Sequence, residues 1–184
     1  DPSNSNIASN MDYPPNKLIK VYLNVQEDYV TDRTVMISAS IDAGSLSSDP
    51  IQVSKSIENI PTNDKFEFNF EKLDMLEKQL LEEFAEELYK GINVVGRAIG
   101  QHPESSVHFY FYTENEKDRL IDSLKRYDQS NDITDSLRDL LSLREATEQQ
   151  IYSIVQDEVR NLYNIDQLPE SLVALSDRFY PQDE

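Results

Sequence analysis

The chain of 184 residues has no cysteine, two histidines and four glycines. Without cysteine it can form neither a disulfide nor a thiolate metal site, and a zinc site would need carboxylates to complete it. The scarcity of glycine, together with the absence of Walker A, GxGxxG and GxSxG patterns, argues against a phosphate-cradling loop or a nucleophile elbow. A cysteine-free chain fits a reducing compartment, so we expect a cytoplasmic protein.

Long apolar runs and basic clusters are also missing. No segment approaches the ~20 apolar residues that a membrane-spanning helix needs, and the polar start of the chain, residues 1–6, resembles no signal peptide. The 35 acidic residues outnumber the 17 basic ones, for a formal net charge of -18. This charge repels a phosphate backbone unless a basic patch or metal ions offset it, and such a surface ordinarily serves solubility. We expect no membrane partner and at most an indirect role for nucleic acid.

The length suits one domain with its own hydrophobic core. Residues 1–16 are rich in Ser, Asn and Pro and are predicted to be a flexible lead-in. The domain is predicted to span residues 17–165, with residues 166–184 as a C-terminal extension.

Alternating apolar residues predict three consecutive strands. The first runs from Leu18 to Gln26, the second lies within Val30 to Ala43, and a weaker third begins at Ile51. Short polar turns separate them, so we expect an antiparallel meander.

A long helix is predicted over residues 71–100, interrupted at Gly91, and a central strand over Val107–Tyr112. Thr113 and Glu116 form a capping box for the next helix. The rest of the chain is predicted to be helical, from a possible cap at Thr134 through the segment that includes Ile154, with no further strand. If the central strand joins the first in parallel, the long helix is their crossover connection.

Asn24 and Gln26 are the most informative pair in this pattern. They lie two apart on the first strand and so point to the same face, about 6.6–6.8 Å apart along the chain. An Asp-x-Glu pair at this spacing could hold a divalent cation, because carboxylates supply anionic oxygen ligands. Amide oxygens bring no negative charge, so the substitution predicts weak Mg²⁺ affinity.

Other acidic residues could replace the missing carboxylates, but each has a plainer role. Glu27 and Asp28 fit a solvated turn, and Glu27 points to the other face if the strand continues regularly. Glu116 serves the capping box, and acidic side chains favour helix starts in any case. Glu114 is another acidic residue at this helix start, and Asp118 and Asp122 are predicted to be exposed residues of the same helix.

The histidines and aromatics also have structural interpretations. His108 on the central strand is expected to be a hydrogen-bonded core residue, on the same face as Tyr110 and Tyr112, and His102 a loop residue. The aromatic run 109–112 could stack nucleic-acid bases, but no Lys or Arg flanks it, so core packing is the favoured interpretation.

Three segments carry a resemblance to a known family. They are Val21–Gln26, Val107–Tyr112 followed by Glu114 and Leu120, and Ser136–Leu141. Together they resemble the ribonuclease H-like module, of the DnaQ exonuclease type, found in predicted RecB-family nuclease and helicase proteins.

This resemblance implies an α/β fold with a three-stranded antiparallel meander, a parallel central strand and a helical C-terminal half. It further implies a metal-dependent 3′–5′ exonuclease ancestry and a place beside nuclease and helicase domains in a larger DNA-repair protein. Asn24 and Gln26 stand where the family has its Asp and Glu ligands. We therefore expect an inactive module without a cofactor, serving a structural or docking role.

Two alternatives remain open. The chain could be an acidic protein-protein interaction domain unrelated to nucleases, which a different sheet order would favour. It could also be an active exonuclease that binds Mg²⁺ or Mn²⁺ through Glu27, Asp28 and Glu116.

Overall fold

The protein is described from a computed structural model. The structure describes residues 18–43, 49–62, 67–100, 106–127, 137 and 152–157. The predicted lead-in, the C-terminal extension 166–184, His102 and the cap at Thr134 lie outside these residues. Leu137, the one described residue of the predicted third helix, is helical and buried.

The described elements form a mixed α/β fold. In chain order they are β1 (Leu18–Asp28), β2 (Arg33–Asp42), β3 (Ile51–Ser56), α1 (Phe70–Ala98), β4 (Ser106–Phe111), α2 (Glu114–Arg126) and β5 (Tyr152–Ile154). The strands make one five-stranded sheet in the order β3-β2-β1-β4-β5.

Strand pairing follows the predicted meander and crossover. β1 pairs antiparallel with β2, and β2 antiparallel with β3, whereas β4 pairs parallel with β1. Helix α1 is therefore the crossover between β3 and β4. The carboxyl ends of β1 and β4 lie side by side, because parallel strands end at the same edge of a sheet.

The prediction that no strand follows α2 is wrong. Tyr152–Ile154 forms β5, parallel to β4, and residues 155–157 are helical directly after it. The apolar spacing of this region fits a helix, but β4 has backbone groups that a neighbouring strand can bind, and three residues suffice. Pairing with β4 therefore overrides the local pattern.

Gly91 does not interrupt the long helix. α1 continues through it to Ala98, and a Cβ built at Gly91 would lie 2.4 Å from Cδ1 of the buried Ile41. Glycine is thus used here for the close approach of α1 to β2, and not as a helix breaker. The helix ends where Ile99 caps it and Gly100 adopts a left-handed φ of 67°.

Both helices cover the same face of the sheet. Odd-numbered residues of β1 and β4, such as Val21 and Phe109, pack with Phe84 of α1 and Leu120 of α2 in one buried cluster. The even-numbered residues face the other side, where the Tyr22 and Tyr110 rings stack at 4.9 Å. Asn24 belongs to this second face, at the end where β4 stops.

None of the helices within the described residues is long and apolar enough to cross a membrane.

Candidate functional site at the carboxyl ends of β1 and β4

Asn24 makes a direct contact with Glu116. Its Nδ2 donates a hydrogen bond of 2.9 Å to Glu116 Oε1 across 92 positions of sequence, in a partly buried setting. β1 positions Asn24, and the capping box at the start of α2 positions Glu116. The predicted amide position and the predicted helix-cap carboxylate therefore form one site.

Glu116 accepts hydrogen bonds on both carboxylate oxygens. Oε2 accepts from the backbone N–H groups of Tyr112 and Thr113, each at 3.0 Å, while Thr113 Oγ1 accepts from the Glu116 amide at 3.2 Å, which confirms the capping box. Burial raises the pKa of Glu116, against the opposing effect of the hydrogen bonds from Thr113, Tyr112 and Asn24. The described partners of this carboxylate are all uncharged donors.

Gln26 shares the face of Asn24, as its spacing predicts. Gln26 Nε2 lies 3.4 Å from Asn24 Oδ1, and the Gln26 side chain is exposed. The two amides and Glu116 are thus linked by consecutive hydrogen bonds at the carboxyl end of β1. Asn24 uses its oxygen for Gln26 and its nitrogen for Glu116.

Glu27 turns away from these hydrogen bonds, and the prediction of a solvated turn is wrong for it, because it lies within β1 with a side chain only 10% exposed. A register shift between Gln26 and Glu27 marks a bulge, and Glu27 Oε1 accepts a 2.7 Å hydrogen bond from Arg119 Nη1 on α2. Burial, and next to it a hydrogen bond with Asp32, raises the pKa of Glu27, although Arg119 acts against this shift. Its carboxylate is part of an ion-pair network on the helical side.

Asp28 serves the turn after β1, as the sequence predicts. Its Oδ2 accepts from the backbone N–H and the hydroxyl of Thr31, at 3.0 and 2.6 Å. Glu27, Asp28 and Glu116 therefore engage three different sets of partners. The structure does not bring the three carboxylates of the active-exonuclease hypothesis into one cluster.

The other acidic candidates lie along α2. Glu114 and Asp118 both pair with Lys117, whose ammonium also lies 5.0 Å from the centre of the Tyr152 ring. Asp118 and Asp122 are exposed, as predicted, and Glu114 is exposed as well. Their roles are those of a solvated helix face.

His108 and the aromatic run belong to the packed sheet. His108 is buried, its Nε2 lies 3.0 Å from Ser153 Oγ, and its ring lies 4.9 Å from that of Tyr110. Residues 109–112 are all buried. The predictions of a hydrogen-bonded core histidine and of core packing for the aromatics are confirmed.

Glu77 of α1, which accepts more hydrogen bonds than any other carboxylate among the described residues, was missed by sequence reasoning. It is fully buried, and its Oε1 accepts from the Thr34 backbone N–H at 2.7 Å and from Ser123 Oγ at 3.1 Å. Oε2 accepts from Arg126 Nη1 and Tyr127 Oη, both at 2.6 Å. This one side chain ties α1 to β2 and α2.

Glu77 also perturbs its neighbour Tyr127. Burial raises the pKa of the Tyr127 phenol well above its usual range, and the hydrogen bond to Glu77 adds to this effect. The one sequence signal for Glu77 is an acidic residue at a position of α1 that falls in the apolar stripe, between Leu73 and Leu80.

Potential metal ligands do not cluster in the described part of the chain. Within it, no three His, Cys, Asp or Glu side chains are grouped so as to hold a metal ion. The Asn24–Glu116 site supplies one carboxylate and the oxygen of an amide.

Comparison of the chain with protein-family models, with curated proteins and with solved structures found no match.

Proposed function

We propose that this chain is a catalytically inactive, ribonuclease H-like module of a larger nucleic-acid-processing protein, with a structural or docking role. The element order and the sheet support the fold part of the proposal, since the meander is followed by a helical crossover to a parallel strand. A sheet without these features would have favoured an unrelated domain.

The hydrogen bond from Asn24 to Glu116 carries the functional part. In a two-metal nuclease site, divalent cations neutralise carboxylates that converge from different elements. Here the Glu116 carboxylate meets an amide N–H at 2.9 Å at the position where the resemblance implies a metal-binding Asp. The amide satisfies the carboxylate without a cation, so an Asn-for-Asp replacement removes both a ligand and the need for the metal.

Gln26 strengthens this argument. Its amide nitrogen lies 3.4 Å from the oxygen of Asn24, which is the atom that could otherwise face a cation. The two uncharged amides, two residues apart on one face of β1, are thus linked by hydrogen bonds to a single carboxylate. One carboxylate and two uncharged amides supply too little negative charge for a Mg²⁺ site, and they suit a set of hydrogen bonds at the carboxyl end of β1 better.

The test is a cleavage assay together with metal titration. We expect the protein to leave single-stranded DNA uncut with Mg²⁺ or Mn²⁺ and to bind neither ion tightly by calorimetry. The variant N24D/Q26E restores the two carboxylates and is expected to bind Mn²⁺ at least about tenfold more tightly than the parent. The variant N24S/Q26S is the matched control, because it removes the amides without adding charge.

Each outcome bears on a different part of the proposal. Metal-dependent cleavage by the parent chain, abolished by E116Q, would overturn the inactive role. Equal Mn²⁺ affinity in N24D/Q26E and N24S/Q26S would overturn the descent of this site from a metal centre.

A second candidate function is an acidic interaction domain unrelated to nucleases. The net charge of -18 favours it. It predicts that binding of protein partners depends on the acidic surface, and that carboxylates restored at positions 24 and 26 leave metal affinity unchanged.

A further inference from the structure

The turn between β1 and β2 exposes two large side chains. Tyr29 is 88% and Val30 71% exposed, the highest values among the large hydrophobic residues of the described chain. The next residue, Thr31, is 3% exposed. The turn therefore buries its polar residue and presents its aromatic and aliphatic ones to solvent.

Hydrogen bonds within the turn hold this arrangement. The Asp32 N–H donates to the Asp28 carbonyl at 2.8 Å, and the Asp28 carboxylate accepts from both the N–H and the hydroxyl of Thr31. Asp32 adopts a left-handed φ of 55°, which Asp tolerates better than most residues. These contacts close the turn around Tyr29 and Val30 without using either side chain.

Arginines from outside the turn fix it further. Arg33 Nη1 donates to the carbonyls of Thr31 and Asp32 at 3.1 and 3.0 Å, and Arg126 Nη2 of α2 donates to the Asp32 carbonyl at 3.1 Å. Arg119 Nη1 binds the Asp32 carboxylate at 2.9 Å. The tip is thus tied to α2 as well as to its own strands.

Tyr and Val are unusual choices for such a tip. Turns ordinarily use Gly, Asn, Asp, Ser or Pro, because these residues fit turn conformations or bind the turn backbone. β-branched and aromatic residues favour strands, where neighbours cover them. The local fold thus gives no reason for exposing these two side chains, whereas a binding surface does: rigid aromatic anchors lose little conformational entropy on binding.

Two further exposed aromatic residues lie at the start of α1, and Arg33 connects them to the turn. Phe68 and Phe70 are partly exposed, with ring centres 6.1 Å apart, and the Phe70 ring lies 5.9 Å from the guanidinium carbon of Arg33. Arg33 therefore bridges the turn backbone and the phenylalanines. We call Tyr29, Val30, Phe68 and Phe70 the hairpin patch.

Acidic residues surround the hairpin patch. The segments 28–33 and 67–74 contain five acidic and two basic residues, Arg33 is engaged by Asp74 at 2.7 Å, and Arg119 and Arg126 of α2 reach the turn at Asp32. Asp32 and Asp74 are each paired with an arginine, and their side chains remain 68% and 40% exposed, while the whole chain carries a formal net charge of -18. A second copy of this chain would bring like charge to the patch, whereas a basic surface would complement it.

We propose that the hairpin patch docks a segment of another protein or domain that carries Lys or Arg side chains around an apolar centre. The apolar contacts to Tyr29 and Val30 supply affinity, and the acidic rim selects basic partners. This inference rests on the docking role proposed above and supplies its surface and partner chemistry. It does not depend on the history of the Asn24–Glu116 site.

The test uses amphipathic Lys–Leu helical peptides as probes, with Glu–Leu and Lys-only peptides for comparison, titrated into the full chain and followed by amide NMR shifts. We expect only the Lys–Leu peptide to bind tightly, with shifts centred on residues 28–33 and 67–74. The variant Y29S/V30S is expected to weaken binding at least about tenfold. V94S is the matched control, because Val94 is 55% exposed on α1 outside these segments, and it should change affinity less than about twofold.

Several outcomes would overturn the inference. They are absence of Lys–Leu binding, equally tight binding of the Lys-only peptide, shifts spread over the acidic surface of α1, and equal weakening by Y29S/V30S and V94S. Sedimentation that shows dimers lost in Y29S/V30S would assign the patch to a second copy instead. DNA cleavage is measured in a separate assay. If the protein proves to be an active nuclease, the peptide titration can therefore still be interpreted.

Discussion

Glu77 and Glu116 are two carboxylates of the same protein, each held by several donors at the junction of α2 with another element, and they differ in the charge of those donors. Glu77 is fully buried and binds the guanidinium of Arg126 at 2.6 Å. Glu116 is partly buried and binds the amide of Asn24 and two backbone N–H groups. One carboxylate is neutralised by a cation from the protein, whereas the other meets no cationic side chain among the described residues.

The two carboxylates therefore meet the cost of burial in different ways. A buried carboxylate requires an opposite charge or a raised pKa, and Glu77 has the first. Glu116 has the second, since burial raises its pKa. Under the function proposed above, such an arrangement is what we expect once a metal-binding Asp has been exchanged for Asn.

The largest expected effect comes from the structural site. E77A removes the acceptor of Arg126, Tyr127, Ser123 and the Thr34 N–H, so we expect it to lower the free energy of unfolding by about 3 kcal/mol. Urea denaturation measures this. The exposed Glu83, also on α1, is the control, and E83A should leave stability unchanged within error. A loss from E77A no larger than that from E83A would contradict the role of Glu77.

Placing a second carboxylate beside Glu116 gives the next effect. N24D replaces a donor with an anion at hydrogen-bonding distance from Glu116 Oε1, so we expect a cost of about 2 kcal/mol at neutral pH. N24A loses the donor without adding charge and should cost about 1 kcal/mol. At about pH 4 one carboxyl binds a proton, and the N24D deficit should shrink toward that of N24A. Equal deficits at both pH values would argue against direct proximity.

Loss of the helix cap is expected to have a smaller and local effect. T113A removes the acceptor of the Glu116 backbone N–H and should cost about 1 kcal/mol, whereas T113S should be close to neutral. Thermal denaturation of both variants measures this. If T113A lowered the free energy of unfolding as much as E77A does, the effect of the cap would not be local, and the start of α2 would stabilise the fold as strongly as Glu77.

The smallest effect is a pH dependence. Because the folded pKa of Glu116 is raised, the folded state binds this proton more tightly than the unfolded state. Its contribution to stability is therefore fully present below the unfolded pKa and lost as pH rises through the folded pKa. The stability of the parent relative to E116Q should fall over that window. If the stability of the parent relative to E116Q rose with pH instead, the hydrogen bonds that lower the pKa of Glu116 would outweigh the burial that raises it.

The sequence predicts much of the site because its features are local. Alternation on β1 places Asn24 and Gln26 on one face, and the spacing of Thr113 and Glu116 makes the capping box. Both depend on residues within four positions of each other. By contrast, the contact between Asn24 and Glu116 joins distant parts of the chain.

The errors arise where distant segments meet. β5 forms because β4 offers backbone partners, and Gly91 stays helical because Ile41 of β2 lies against it. The position of Glu77 in the apolar stripe of α1 is a weak signal, and its partners Arg126 and Thr34 are brought to it from α2 and β2. No pattern in the neighbouring sequence contains these pairings.

The sequence by itself determined the strand and helix periods, the helix cap, the acidic charge and the absence of carboxylates at positions 24 and 26. Only the tertiary structure decided which donors meet each carboxylate and which side chains of the β1–β2 turn remain exposed. The physical reason is range: backbone propensity acts between near neighbours in the chain, whereas burial and ion pairing depend on distances that the complete fold sets.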